Sequence, residues 1–303
     1  MLRFVRSLVL CSLVSTSAFA CGGSSDQIAF ISERDDVYEI FVMDADGTNV
    51  RQLNNVSQLT TNYYATPELS WSPDGEQIAF TTEHDDVYEI FVMDADGTNV
   101  RQLTTKSLAH FDPAWSPDGK QIAFGGRSIG VTGKPYGDGE IFVMDADGTN
   151  VRQLTTNSQP DSNPAWSPDG KQIAFTRRPY SDLEIFVMDA DGTNVRQLTS
   201  NDYGDYDPAW SPDGKQIAFS SAFTSPPYHD GTRQIFVMDA DGANVRQLTD
   251  SDYNDFTPTW SPDGKQIVFS SSRDECGCIL LMDVDGTNVI NTNQDGKDPT
   301  FKP

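Results

Sequence analysis

The sequence predicts an all-β chain closed into a six-bladed β-propeller with four-stranded blades, and three observations carry that prediction. The chain repeats itself: Met-Asp-Ala-Asp-Gly begins at Met43, Met93, Met144, Met188 and Met238, with Met-Asp-Val-Asp-Gly at Met282, and the shortest spacing between copies is 44 residues. Trp-Ser-Pro-Asp-Gly starts at Trp71, Trp115, Trp166, Trp210 and Trp260, and Gln-Ile-Ala-Phe at Gln27, Gln77, Gln121, Gln172 and Gln216, with Gln-Ile-Val-Phe at Gln266. A period of roughly 40 to 50 residues with four short strands and an aromatic per unit is that of a propeller blade. The third observation is that no helical period appears after residue 20.

Within one copy, residues 163–167 (NPAWS) read as the first strand, 172–176 (QIAFT) as the second, 184–188 (EIFVM) as the third and 195–199 (VRQLT) as the fourth. The third run is apolar on both faces, as a sheet sandwiched between neighbours requires. The fourth is more polar, and Arg196 and Gln197 suit an outer edge, where charge discourages pairing with another molecule. Ser167-Pro168-Asp169-Gly170 places Pro where φ is pre-set and Gly where φ must be positive, and Asp189-Ala190-Asp191-Gly192 repeats the logic without Pro. Both suit type I hairpin turns with a Gly bulge.

The chain ends explain how the ring closes. The first copy begins at its second strand, Gln27 to Phe30, and the missing strand is at the other end, where Asp298-Pro299-Thr300-Phe301 matches Asp207-Pro208-Ala209-Trp210. One blade therefore joins the C-terminal strand to three N-terminal strands, and the propeller occupies residues 27–303.

Residues 1–20 differ from all that follows. Arg3 and Arg6 are their only charges, Leu8 to Phe19 is mainly apolar or small, and Ala18-Phe19-Ala20 precedes Cys21. This reads as a secretory signal peptide, too short for a spanning helix. Small residues before a Cys also suit a bacterial lipobox, with Cys21 as the lipidated residue and residues 21–26 as a polar tether; cleavage by ordinary signal peptidase is the alternative. Export to the periplasm or outer membrane as a lipoprotein, or free secretion, is the expectation.

The stretch from Asp207 to Thr249, running DPAWSPDGKQIAF through IFVMDADGANVRQLT, resembles the TolB-type, WD-like propeller repeat with its Pro-Asp signature. The resemblance covers the propeller only, without the α/β domain that precedes it in TolB. It implies a cell-envelope protein or peptide as the partner class. It also implies a rival, since some TolB-like propellers resemble oligogalacturonate lyases.

Hairpin connectivity places the near-identical turns on one rim and the variable connections on the other. Copies three and five carry insertions there, Gly125 to Gly139 and Ser220 to Arg233, and the connection from Leu53 to Trp71 is also long. Variation on a rigid scaffold is how loops acquire binding roles. That rim holds Tyr63, Tyr64, Phe111, Tyr136, Tyr180, Tyr203, Tyr206, Phe223, Tyr228, Tyr253 and Phe256, rings that either stack on a ligand or cover blade edges. Asp112, Asn163, Asp207 and Asp298, just before the first strands, should ring the channel mouth, to accept a cation or a Lys-bearing peptide or else to form Asx turns before Pro. Tyr63, Tyr64, Tyr136, Tyr206 and Tyr228 join these four as candidate binding residues.

The chemistry of an enzyme is hard to find. The 303 residues hold 21 basic and 45 acidic side chains, a formal charge of -24 that repels nucleic acid and anionic lipid. His84, His110 and His229 fall at unrelated positions, so no histidine metal cluster is expected, and no nucleophile elbow, phosphate loop or dinucleotide fingerprint occurs. Asp189 to Asn194 resembles the start of a calcium loop, but Ser200 stands where an EF-hand needs Glu, so a plain turn fits better. No catalytic residue, metal or cofactor is assigned; calcium at the rim or channel ranks last. Cys276 and Cys278 form either a kinked disulfide or two unpaired thiols. The expected protein is a monomeric, non-catalytic binding scaffold, with a carbohydrate-active or carbohydrate-binding propeller as the rival.

Overall fold

A computed structural model of the chain describes residues 26–34, 37–53, 68–84, 87–105, 108–128, 139–222, 232–273 and 277–303. They form six four-stranded antiparallel sheets. Blade 2 contains β4 (Leu69–Trp71), β5 (Gln77–His84), β6 (Val87–Asp94) and β7 (Arg101–Gln102). Blades 3 to 6 repeat this order, beginning at Leu108–Trp115 (β8), Asp161–Trp166 (β12), Asp205–Trp210 (β16) and Asp255–Trp260 (β20). Blade 1 pairs β24 (Lys297–Phe301) with β1 (Gln27–Arg34), followed by β2 (Val37–Asp44) and β3 (Arg51–Gln52). The C-terminal strand thus completes the N-terminal blade, with Ile28 opposite Phe301.

The doubly apolar third strands are explained by packing between blades. Ile185 of blade 4 faces forward, into a cluster with Ala174 and, from blade 5, Ile217, Phe219, Phe236 and Met238. Phe186 and Met188 face backward, onto Ala123 and Ile141 of blade 3. At the closure, Ile28, Phe30 and Met43 pack with Val268, Ile279 and Leu281 of blade 6, and Phe301 takes the place of the Trp. On the other side of blade 1, the Trp71 indole N–H of blade 2 donates to the Thr300 carbonyl at 3.3 Å, as Trp210 and Trp260 do to Ala165 and Ala209 of the preceding blades.

The fourth strand is shorter than the sequence predicts. Only Arg196–Gln197 pairs, because beyond it Thr199 turns its hydroxyl to accept the Ile185 N–H at 2.9 Å, replacing the ladder with a side-chain bond. Nor are the edge arginines merely repellent charges. Arg196 donates to the Ala240 carbonyl of the next blade at 3.1 Å, and Arg51, Arg101, Arg152 and Arg246 do the same to Ala95, Ala146, Ala190 and Val284. Where the ring closes, Ile290 replaces the Arg and Gln294 donates to Gly47 instead, at 3.3 Å.

Those carbonyls belong to the Asp-Ala-Asp-Gly turns. Gly192 has φ near +90°, and a Cβ there would lie 2.7 Å from the Leu154 carbonyl oxygen of the preceding blade, so glycine serves both the turn and the interblade approach. The acids are consumed inside the turn: Asp191 Oδ1 accepts the Thr193 N–H at 2.9 Å and its hydroxyl at 2.6 Å, while Asn194 donates to Asp189 at 2.6 Å. These bonds give Asp189, Asp191, Thr193 and Asn194 a role within the turn itself.

Candidate functional site: the acidic mouth of the channel

The first strand of every blade lines the central channel, a cavity of about 340 Å³. At its mouth the strands carry a bulge. In blade 4 the pairing register shifts between Ser162 and Ala165, around Asn163 and Pro164. Pro has no N–H for the ladder, and the residue before it takes up the extra length. Asp112, Asn163, Asp207, Thr257 and Asp298 all adopt φ between 50° and 55° there. Such left-handed backbone is uncommon for non-glycine residues and clusters where function or a turn demands it.

The bulge brings together the four mouth residues expected from the sequence, Asp112, Asn163, Asp207 and Asp298, and adds Glu68 and Thr257. They do not form local Asx turns. The side chains of Glu68 and Asp112 reach across to the next blade: Glu68 Oε2 accepts the Asp112 N–H at 2.6 Å, and Asp112 Oδ2 accepts the Asn163 N–H at 2.8 Å. Asp207 Oδ2 accepts the Ser220 hydroxyl at 2.9 Å, and Ser270 Oγ accepts the Asp298 N–H at 3.0 Å. Glu68 and Thr257 depart from the Asp-Pro pattern of the other copies; counting back three residues from Trp71 and Trp260 finds them.

Desolvation and mutual repulsion make Glu68, Asp207 and Asp298 weaker acids than usual. Burial first, then the Asp112 charge and its hydrogen bond, push Glu68 well above the usual carboxylate range. Burial also raises Asp207, opposed by the Ser220 hydroxyl and the Arg233 charge. Asp298 is pushed up to about 7 by burial, against the pull of Lys297, with Asp207 and Asp112 adding repulsion. A carboxyl whose folded pKa lies above its unfolded value stabilises the fold at low pH and loses that contribution as pH rises through the folded value. Moving from 3.8 to about 7 would be worth about 4 kcal/mol in a wholly dry site, and the partly exposed channel position reduces this to about 2 kcal/mol. Asp298→Asn is therefore expected to stabilise the protein by about 2 kcal/mol at pH 8 and to change little near pH 4, as urea unfolding at the two pH values will show.

Of the rim aromatics, Tyr206 lies half-buried with the Arg233 guanidinium 3.8 Å from its ring centre, while Phe111 meets Tyr88 in a tilted contact with ring centres 5.1 Å apart. Among the described rim aromatics Tyr180, 92% exposed, is the best placed to meet a partner. Tyr63, Tyr64, Tyr136, Phe223 and Tyr228, together with Cys21 and Cys276, lie outside the described residues. Cys278 opens a buried strand with its thiol 3.4 Å from the Arg273 carbonyl oxygen. His110 is buried with Nδ1 3.1 Å from Glu89 Oε2. His229 and the side chain of His84 lie outside the described residues. Among the described residues, no three of His, Cys, Asp and Glu are arranged to hold a metal ion.

Similarity to known proteins agrees with this architecture. The TolB beta propeller domain family matches residues 55–130 and 208–302, together more than half of the chain, and the Tricorn protease N-terminal beta propeller domain matches residues 136–230. A "Protein TolB homolog" of Chlorobium chlorochromatii (strain CaD3) is 34% identical over 145 residues, which is 48% of this chain. The match spans only 30% of that relative's length. TolB from Acinetobacter baumannii superimposes with a TM-score of 0.76 at 22% identity, over 92% of this chain and 67% of that one. An oligogalacturonate lyase in complex with manganese shares the fold at a TM-score of 0.59 and 16% identity, over 87% of this chain and 73% of that one. On the repeat signature, the six closed blades and the extent of the family match, the chain belongs to the TolB beta propeller family.

Proposed function

We propose that the protein is an exported, non-catalytic scaffold that binds a protein or peptide partner of the cell envelope through its variable-loop rim and channel mouth. The observation that carries this reading is the convergence of Glu68, Asp112, Asp207 and Asp298 on one end of the channel. A desolvated acidic ring within a strongly negative protein favours a Lys- or Arg-bearing segment and speeds its approach. Membership of the TolB family and the leader at residues 1–20 support an envelope location, with Cys21 as a lipid anchor. Labelled palmitate is expected in the wild-type protein and absent from Cys21→Ser.

The rival lyase reading rests on shared fold alone and has less behind it here. The one histidine whose side chain is described is buried on Glu89, and an acidic mouth repels a polyuronate chain. Incubation with polygalacturonate is expected to release no unsaturated product, and release would favour the rival.

The test of the binding reading compares the wild-type chain with Asp112→Asn/Asp207→Asn/Asp298→Asn, both immobilised and both checked for melting. The wild type is expected to retain an envelope protein that the triple variant retains at least tenfold less. Equal retention by the two, or none by either, overturns the proposal.

A further inference from the structure

Four blade junctions, from blades 2 and 3 to blades 5 and 6, contain a second set of buried polar groups, away from the channel, where the third strand of one blade meets the first two strands of the next. At the junction of blades 3 and 4 this set is Glu140, Asn157, Asp161 and Arg177. Asp161 is 1% exposed, and it accepts Arg177 Nε on Oδ1 and Nη2 on Oδ2, both at 2.7 Å. The guanidinium lies over Phe175 and Phe186, 5.2 and 5.1 Å from their ring centres; burial raises Glu140, opposed chiefly by hydrogen bonds from Asn157 and Thr155 and to a smaller extent by the Arg177 charge. Asn157 bridges the two acids at 3.2 and 3.0 Å. The result is a site shaped for one guanidinium, filled by the chain itself.

The junction of blades 4 and 5 repeats every part of that site except the guanidinium. Forty-four residues on stand Glu184, Asn201, Asp205 and Phe219, and fifty residues after Phe186 stands Phe236, while Ser221 replaces Arg177 opposite Asp205. Asn201 donates its N–H to Glu184 Oε1 at 3.0 Å and its Nδ2 to Asp205 Oδ2 at 2.8 Å. Phe219 and Phe236 stack at 5.7 Å, close to the 5.9 Å of Phe175 and Phe186. Asp205 is fully buried, yet its Oδ1, the atom matching the one that accepts Arg177 Nε in blade 4, has no hydrogen-bond partner. In front of it opens a cavity of about 340 Å³ lined by Asn201, Tyr203, Asp205, Phe219, Ser221 and Phe236.

The neighbouring junctions balance their charge in other ways. Between blades 5 and 6, Gln234 replaces the Glu, and Arg273 comes within 3.6 Å of Asp255. Between blades 2 and 3, His110 replaces the Asp and faces Glu89. The junction of blades 4 and 5 alone among these four keeps both acids with no cation among the described residues. Burial raises both Glu184 and Asp205, the expected response of carboxyls left without a countercharge.

We propose that the groove between blades 4 and 5 is a binding site for the guanidinium group of a ligand, held by Asp205 over Phe219 and Phe236 as Arg177 is held by Asp161 in the preceding blade. Asp205 supplies two oxygens in the plane of the fork, and the stacked rings supply an apolar, cation-attracting floor. The site lies on the variable-loop rim but stands apart from the proposed partner reading, because a small guanidinium compound tests it with no partner present.

The test is calorimetric titration of the full chain at pH 8 with methylguanidinium, with a blocked Ala-Arg-Ala peptide and with methylammonium. One saturable methylguanidinium site is expected, weakened at least tenfold by Asp205→Asn. Ser221→Arg is expected to abolish binding and to raise the melting temperature by several degrees, since it supplies the missing cation. A peptide binding at least tenfold tighter than methylguanidinium marks an arginine side chain of a partner as the source, and equal affinities mark a small guanidinium compound. The proposal is overturned if the wild type shows no saturable binding or methylammonium binds as well as methylguanidinium. It is equally overturned if Ser221→Arg leaves binding intact or lowers the melting temperature.

Discussion

Removal of residues 297–303 is expected to lower the melting temperature by at least about 10 °C and to broaden the transition. The deleted segment is the inner strand of blade 1, so its loss strips β1 of a partner and opens the ring between blades 6 and 2. Phe301, 5% exposed, leaves a void among Ile28, Phe30 and Met43 on one side and Val268, Ile279 and Leu281 on the other. Losing a buried Phe alone costs about 3–5 kcal/mol. The Thr300 carbonyl that accepts the Trp71 indole and the backbone pairing of Lys297 and Phe301 with Ile31 and Ile28 are lost besides. In a chain of this size each kcal/mol moves the midpoint by about 2–4 °C. Differential scanning calorimetry checks the result, and a point variant, Phe301→Ala, should give a smaller shift in the same direction.

Arg177→Ala is expected to cost about 3–5 kcal/mol in denaturant unfolding, the range seen when one partner of a buried ion pair is removed. Its side chain is 13% exposed and holds Asp161, whose side chain is wholly buried. Without it, Asp161 and Glu140 remain close together in the junction of blades 3 and 4, opposed only by Asn157 and Thr155. Adding Asp161→Asn should recover part of the loss, because the uncompensated charge rather than the missing packing carries most of it. By contrast Lys120→Ala, whose pair with Asp118 spans 2.9 Å between side chains that are 78% and 54% exposed, should change stability by less than about 1 kcal/mol.

The architecture was legible because the repeat and its missing strand are written directly in the chain. Asp298-Pro299-Thr300-Phe301 can be matched to Asp207-Pro208-Ala209-Trp210 by eye, and the pairing of β24 with β1 follows. The mouth was legible in part for the same reason: Asp112, Asn163, Asp207 and Asp298 precede Pro in like positions. Glu68 and Thr257 escaped because their copies lack the Asp, although register alone places them in the ring. The junction chemistry was illegible for a different reason. Arg177 follows the Gln-Ile-Ala-Phe run by one residue beyond the expected strand, and it meets Asp161 only because antiparallel pairing sets the two opposite each other. A repeat shows which positions correspond, but not which faces of adjacent sheets they share. The edge arginines misled for that reason too, since Arg196 finds its acceptor 44 residues away in the next blade's turn.

The distinctive physical feature of the mouth is negative charge taken partly out of water, and carbon-detected NMR titration of the Asp and Glu carboxyls measures it directly. One carboxyl, lost in Asp298→Asn, should titrate near pH 7, while exposed turn acids such as Asp118, held down to about 2 chiefly by Lys120 and Ser116, should stay ionised throughout the accessible range. If every carboxyl of the folded protein titrates below about pH 5, the six first strands do not converge on a desolvated acidic ring, and the binding surface assigned to it is contradicted.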